Sequence, residues 1–379
     1  MKTINFLTSH FLPENTACTN RVLSYVKILE QKYKVNVISL TQKGVSPQKM
    51  KISYTENINI YYVEQKNFNG KNFFIRAFYE ILYIKKLINL SNRIKGDIVI
   101  ATTPYMFMIP LVSLFVKHKK VLDIRDLVWE YLDEQSFSKK IIKFFLRFMM
   151  KYSLKKFDSI IVTNEVEREI LKNRYFIKNM TLIPNGIEEE KYLQLVNLEI
   201  LQPKVFTITY IGNIGLAQNL VVLLEAAKVL KNSKFYIIGD GIELEQLKKY
   251  VLKEKIENVS FLGKLEWNDI KVFYAKSSVL YAQLDRKYKS AIPSKLYEYA
   301  AVGLPIIYAG DGAAVKFLNN LENIQVIPSN DKIELIKAID SFQSQLINLI
   351  SKENRDTIKQ HYLRDKNSIK LLKILDRLK

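Results

Sequence analysis

Phe206-Thr207-Ile208-Thr209-Tyr210-Ile211-Gly212-Asn213-Ile214-Gly215-Leu216-Ala217-Gln218-Asn219-Leu220 runs from an apolar stretch into a glycine-bearing loop and on toward an amphipathic segment over 220–230. A short apolar run with polar punctuation predicts a buried strand, and the longer segment after it predicts a helix. The alternation then repeats. Strands are expected at 235–238, 259–262, 278–281, 306–308 and 324–326, and helices at 243–253, 266–274, 295–301 and 333–346. Strands alternating with helices of this length fold as a parallel sheet covered on both faces.

The first half has the same rhythm. Strands are expected at 3–8, 34–39, 58–63, 97–101, 120–124 and 159–163, with helices at 19–31, 73–93, 106–116, 138–157 and 166–173. Around Ile183-Pro184-Asn185-Gly186-Ile187 the pattern breaks, and Glu188 to Pro203 reads as a linker. A chain of 379 residues exceeds the size at which one core keeps growing. The expectation is therefore an α/β protein with two Rossmann-like domains facing each other across a cleft. The domains would cover 1–187 and 203–350, with a C-terminal helix over 356–379 packing back on the first. Open parallel sheets bind ligands beyond the carboxyl ends of their strands.

Composition narrows the class. A single cysteine, Cys18, excludes an intramolecular disulfide framework, and three histidines make a histidine-rich metal site improbable. The first residues read as a strand rather than a signal peptide, and no uncharged apolar run is long enough to span a bilayer, which predicts a cytoplasmic protein. The net charge is +20, and residues 1–180 hold 30 Lys and Arg against 15 Asp and Glu. Such an excess suits an anionic lipid surface or a nucleic acid, although a lysine-rich proteome would also produce it.

Ser290-Ala291-Ile292-Pro293-Ser294-Lys295-Leu296-Tyr297-Glu298-Tyr299-Ala300-Ala301-Val302-Gly303-Leu304-Pro305 carries the most specific chemistry. A loop enters a helix near Ser294, whose unpaired N–H groups and positive dipole end suit a diphosphate. Lys295 adds a cation, and Glu298, one turn on, suits two ribose hydroxyls. Glu298, Gly303, Pro305 and Pro293 make this stretch resemble family 4 of the retaining GT-B glycosyltransferases. Ser290 stands where that family more often has its first glutamate, as in the subgroup that transfers N-acetylated deoxyhexosamines of the fucosamine type in bacterial surface polysaccharide pathways.

Three further landmarks follow from the resemblance. Gly212, Asn213, Gly215 and Gln218 occupy its first nucleotide-domain loop, where many members carry two basic residues that are missing here. The two glycines allow close backbone approach to phosphates. Charge for the diphosphate then falls to Lys295 and to Arg286, Lys287 or Lys289. Gly239-Asp240-Gly241 follows the next strand, and Leu262, Gly263 and Lys264 match the segment whose main chain recognises a nucleobase, here uracil. In the first half, Glu14 in the loop Ser9–Ala17 is either a base toward the acceptor or a solvated loop acid, and Arg21 would hold a phosphate. Asp126, in Asp123-Ile124-Arg125-Asp126-Leu127-Val128-Trp129-Glu130, is the leading catalytic acid, the alternative for Asp123 and Arg125 being that they point away and pair with each other. No Asp-x-Asp triad stands in the candidate loops, so the expectation is no cofactor and no metal.

Residues 139–156 recur as Lys139, Lys143, Arg147, Lys151 and Lys155 every fourth position, with Phe144, Phe148 and other apolar residues between. The reading is an interfacial helix with its basic stripe toward headgroups, against the plainer one of a helix packed on the sheet. Residues 73–79 are a second, weaker candidate. The implied partners are a UDP-sugar, a polyprenyl-diphosphate-linked saccharide acceptor and an anionic membrane surface, with the protein peripheral on the inner face of the plasma membrane. Two rivals come from other classes, a sugar-nucleotide or glycan binder without catalysis and a nucleic-acid binder, for which no reader fold is visible; a UDP-sugar 2-epimerase is a close enzymatic alternative.

Overall fold

The computed structural model describes residues 1–14, 16–41, 51–65, 73–132, 134–345 and 350–378. Asn15, the expected helix end at 346 and the last residue of the chain lie outside them. The chain forms two units, Met1–Asn185 with Arg364–Lys379, and Gly186–Leu363.

The first unit is built on β1 (Thr3–Thr8), β2 (Lys34–Leu40), β3 (Lys51–Ser53), β4 (Ile58–Val63), β5 (Ile98–Thr102), β6 (Lys119–Asp123), β7 (Ser159–Val162) and β8 (Met180–Leu182). They lie in the order β3-β4-β2-β1-β5-β6-β7-β8, all parallel except the β3–β4 pair. The helices are α1 (Ala17–Leu29), α2 (Phe73–Ile94), α3 (Met108–Phe115), α4 (Phe137–Leu154) and α5 (Glu165–Tyr175). Alternate strand residues feed two cores. Phe6, Val37 and Val121 meet α1 and the C-terminal helix, while Leu7, Ile38 and Leu122 meet α2, α3 and α4. Both faces are covered, so the central strands are buried and mostly apolar: β1 has relative exposures near zero from Ile4 to Leu7, and its one polar member there, Asn5, is satisfied by Ser91 O and Asn36.

The second unit has six parallel strands in the order β11-β10-β9-β12-β13-β14. These are β9 (Thr207–Ile211), β10 (Lys234–Ile238), β11 (Val259–Gly263), β12 (Val279–Gln283), β13 (Ile306–Ala309) and β14 (Ile324–Ile327). Its helices are α6 (Glu189–Val196), α7 (Val221–Val229), α8 (Leu244–Lys253), α9 (Trp267–Ala275), α10 (Lys295–Val302), α11 (Ala313–Leu318), α12 (Lys332–Gln345) and α13 (Lys352–His361), after which α14 (Arg364–Asp376) belongs to the first unit.

Two expectations are corrected. The acidic run after Ile187 is not a linker but the start of α6: Glu189 and Glu190 sit in its first turn, where the dipole favours them, and Tyr192 and Leu195 are buried. The C-terminal segment is two helices rather than one. Only α14 packs on the first unit, along α1, whereas α13 packs on α10.

The strand order reverses between β1 and β5 in the first unit and between β9 and β12 in the second. Those are the points where loops diverge to opposite faces of the sheet and leave a crevice.

Candidate functional site

In the second unit the loops after β9, β10 and β11 are sewn together by their main chains. Gly212 N donates to Ile238 O at 2.9 Å, Ile214 N to Asp240 O at 2.9 Å, and Gly239 N to Gly263 O at 2.8 Å. A Cβ on Gly239 would lie 1.8 Å from Gly212 O, and one on Gly241 would lie 2.2 Å from Ile214 O. These two glycines are therefore required by loop-on-loop contact. Asn213 and Gln218, which replace the expected basic pair, bond to each other at 3.2 Å across the loop. Asp240 caps its own turn by accepting from Gly241 N at 2.7 Å. Leu262 is half-buried and Lys264 is exposed beyond Gly263.

The segment after β12 is tied to the first loop by Asp285 N, which donates to Ala217 O at 2.9 Å. Arg286 and Lys289 are exposed on this segment, Ser290 is buried, and Pro293 and Ser294 are half-buried. Ser294 has helical backbone angles and makes no side-chain cap, so its own side chain does not occupy the positive end of α10. At the other end, Gly303 has φ +83°, and Arg355 donates to Val302 O at 2.7 Å, so the last turn of α10 is satisfied by α13.

Glu298 is the electrostatic centre of this region. Its Oε2 accepts from the Tyr274 hydroxyl at 2.9 Å and from Lys295 Nζ at 2.8 Å. Burial pushes the carboxyl up, but Lys295, the Tyr274 hydrogen bond and the Lys191 charge outweigh it, and the group titrates below the usual carboxylate range. Tyr299, one residue on, accepts from Ile211 N at 2.9 Å, at the root of the Gly212 loop. One short helix thus holds both the carboxylate and the glycine loop. Lys295, expected to be a mobile cation, is paired with Glu298.

Two groups here had no part in the sequence reading. Tyr274 is fully buried and looked like an ordinary core residue of α9. Gly310-Asp311-Gly312 follows β13, and a Cβ on Gly312 would sit 1.9 Å from Lys289 O. Its signal was available, because it repeats the strand, Gly-Asp-Gly, helix pattern of residues 239–241.

In the first unit, His10 Nδ1 and Glu14 Oε2 lie 2.9 Å apart at the end of β1. Asp126, after β6, accepts from the Tyr131 hydroxyl at 3.3 Å. Burial raises its carboxyl to about 6, against the pull of Arg125 and of the Tyr131 bond. Its neighbour beyond β7 is Glu167, which the sequence reading passed over. Glu167 is fully buried, its Oε2 accepts from Thr163 N and Oγ1 at 2.9 and 2.8 Å, and its Oε1 has no partner among the described residues. Burial first, then the charge of Asp126, hold the Glu167 carboxyl well above its usual range.

Arg21 is corrected. It is 1% exposed and spends its guanidinium on Asp123, at 2.8 to 3.2 Å, and on the carbonyls of Ile183 and Pro184. Asp123 also accepts from Thr102 at 3.0 Å, and among the described residues its ion-pair partner is Arg21 rather than Arg125. The pair ties α1 and β6 to the chain's exit from the unit, which leaves nothing of Arg21 for a phosphate.

The basic stripe of α4 is corrected as well. Lys143 is buried, with Nζ 2.8 Å from Leu132 O and 2.7 Å from Glu134. Arg147 pairs with Glu130 at 2.8 Å and Glu134 at 3.2 Å, and Lys151 lies 4.8 Å over the Phe176 ring. Arg174 and Tyr175 of α5 also hold Glu130. Acids after β6 therefore draw the middle of the stripe, Lys143 and Arg147, inward, while Lys139 and Lys155 at its ends stay exposed. The outward ridge is apolar: Phe137, Ile141, Phe144, Phe145, Phe148 and Tyr152 are all exposed, with exposed Lys140, Lys155 and Lys156 toward its ends. On α2, Ile75 and Phe78 are exposed, and the side chains of Phe73 and Phe74 lie outside the described residues.

Two parallel-sheet α/β units, one with its glycine loops and Glu298 helix gathered at a strand-order reversal, define the GT-B fold and a glycosyltransferase. Residues 199–362 match the family model "Glycosyl transferases group 1" and residues 20–191 match "Glycosyltransferase Family 4", so the chain carries both glycosyltransferase domains. It is 24% identical over 308 residues to the probable glycosyltransferase WbjE of Pseudomonas aeruginosa, covering 76% of each chain. It is 25% identical over 265 residues, 65% of each, to the Escherichia coli UDP-Gal:alpha-D-GlcNAc-diphosphoundecaprenol alpha-1,3-galactosyltransferase. Among solved structures it resembles sucrose-phosphate synthase from Thermosynechococcus elongatus, with TM-score 0.79, 13% identity, and 100% and 99% of the two chains covered. It also resembles Anabaena HepE in complex with UDP, with TM-score 0.70, 15% identity and all of both chains covered.

Proposed function

We propose that this glycosyltransferase moves a sugar, an N-acetylated hexosamine or deoxyhexosamine, from a UDP-sugar to a polyprenyl-diphosphate-linked saccharide in bacterial surface polysaccharide synthesis. The observation that carries the reading is Glu298, an ionised, mostly buried carboxylate one turn inside a helix whose start no side chain caps. That pairing suits a nucleoside diphosphate: ribose hydroxyls on the carboxylate, and the diphosphate on the helix end with Lys295, Arg286 and Lys289 nearby in sequence. The Escherichia coli relative, named for transferring galactose from UDP-galactose to a diphosphoundecaprenol-linked GlcNAc, supports the donor and acceptor classes.

In this reading the bond from the sugar's anomeric carbon to the diphosphate oxygen breaks. The acceptor hydroxyl forms the new bond on the same face, so configuration is retained. The helix end and cations stabilise charge on the departing diphosphate without a metal. Asp126 or Glu14 takes the acceptor's proton. The outward ridge of α4 meets an anionic membrane surface, which keeps the enzyme peripheral on the cytoplasmic face beside its lipid-linked substrate.

The test is calorimetric titration with UDP and with GDP. UDP is expected to bind in preference, and Glu298→Ala to lose about ten-fold or more in affinity, the worth of hydrogen bonds to a charged group. Equal affinity in the variant would remove the ribose assignment.

A further inference from the structure

We propose that Tyr274 is a positioning residue that keeps the Glu298 carboxylate aimed at the ribose of a nucleoside diphosphate, while Lys295 exchanges that carboxylate for the diphosphate. The inference rests on the reading of Glu298 as the ribose ligand.

One oxygen, Oε2, carries both internal bonds of the carboxylate, and the two donors differ in kind. Tyr274 is neutral and 0% exposed, and it stands edge-on to Tyr299 with ring centroids 6.0 Å apart. Tyr299 is itself anchored to the main chain of Ile211 and Tyr281. Among the described residues that hydroxyl bonds Glu298 alone, and leaving a hydroxyl so enclosed unpaired is costly. Lys295 is different. It is the first residue of α10, its side chain is 26% exposed, and its ammonium sits on a flexible four-carbon stem.

An arriving diphosphate offers that ammonium a second anion at the same helix end. Exchanging a carboxylate for a phosphate keeps the lysine paired, so little electrostatic energy separates the two positions. The carboxylate would then lose its bonded cation and keep only the Lys191 charge, and the Tyr274 hydrogen bond alone would hold its rotamer. Among the described residues nothing bonds Glu298 Oε1, which leaves that oxygen for the sugar hydroxyls. Without Tyr274 the two halves of the ligand would compete for one lysine: each diphosphate contact would release the group meant for the ribose.

The experiment is calorimetry with UDP, 2′-deoxy-UDP and uridine on the full chain, its Tyr274→Phe, Lys295→Ala and Glu298→Gln variants, and a thermal melt of each. The native protein is expected to prefer UDP over 2′-deoxy-UDP by roughly ten-fold, the worth of one charge-assisted hydrogen bond. Tyr274→Phe should shrink that preference toward unity. Lys295→Ala should keep it while reducing the advantage of UDP over uridine. A Tyr274→Phe protein that retains the full preference overturns the proposal, as does a Lys295→Ala protein that loses it. Should Tyr274→Phe fail to fold, the lysine variant still decides. Failure of the underlying reading looks different: either UDP does not bind, or Glu298→Gln leaves the preference for the ribose hydroxyl unchanged.

Discussion

Phe144 and Phe148 lie one turn apart on the outward ridge of α4 and are 66% and 54% exposed. A free phenylalanine offers roughly 200 Å², so the pair presents about 240 Å² to its surroundings. Full transfer of that area from water to hydrocarbon would be worth about 6 kcal/mol at about 25 cal/mol per Å². A helix lying in the interface sinks only part way, and half of that value, about 3 kcal/mol, is the working figure. The double variant Phe144→Ser/Phe148→Ser should therefore bind vesicles about 100-fold more weakly. The assay is co-sedimentation with vesicles rich in phosphatidylglycerol, at two salt concentrations, with a thermal melt as control. The melt should hardly move, because neither ring contributes to the core. Lys143→Glu should behave in the opposite way: it places an acid beside Glu134 in a buried position and should lower stability. If the serine pair leaves vesicle binding unchanged, or if Lys143→Glu cuts binding while the fold stays intact, the docking surface is not this ridge.

Arg21→Met strands Asp123 in the core and should destabilise the first unit by about 3–5 kcal/mol in urea unfolding, without selective loss of UDP affinity; loss of UDP binding at native stability would restore a phosphate role. Gly239→Ala drives a Cβ into Gly212 O and should abolish UDP binding or soluble expression, whereas Gly263→Ala meets no atom within 4 Å and should cost about 1–2 kcal/mol for its backbone angle alone. Glu80 accepts from Phe107 N at 2.8 Å, and burial raises its carboxyl from 4.5 to about 7. The folded state keeps that proton where the unfolded chain has lost it, so this contribution to stability declines as pH rises toward 7. Glu80→Gln should remove the decline and gain at most about 3 kcal/mol at pH 8, which denaturant titration across pH would detect. For Asp126, held near 6, an ionised role predicts that kcat/KM falls below that pH and that Asp126→Asn loses transfer; full activity in the variant would exclude Asp126 from the chemistry.

The alternation of strands and helices was legible in the chain because it is a local property. Periodicity, glycine punctuation and run length act within about ten residues, and β1 and β4 have the bounds expected from the sequence. Short elements escaped. β3 and β8 have three residues each, and the acids opening α6 resemble a solvated linker until Tyr192 and Leu195 find a core. The candidate loops of the second unit could be placed for the same reason: they follow their strands directly in sequence, and the sheet brings them together.

Partnership was not legible. Arg21 could hold a phosphate or a carboxylate, and only the sheet sets it against Asp123, 102 residues away. The repeat of cations every fourth residue in α4 predicts a stripe but not its direction. Glu130 and Glu134 turn Lys143 and Arg147 inward and leave the aromatic residues outside. Glu167 and Tyr274 gained their places beside Asp126 and Glu298 in the same way. By itself the sequence determined the longer elements, their order and the candidate loops between them, because hydrophobic periodicity and backbone freedom belong to neighbouring residues. The tertiary structure alone decided which charges are spent on each other and which face the solvent, because desolvation and ion pairing depend on groups brought together from distant parts of the chain.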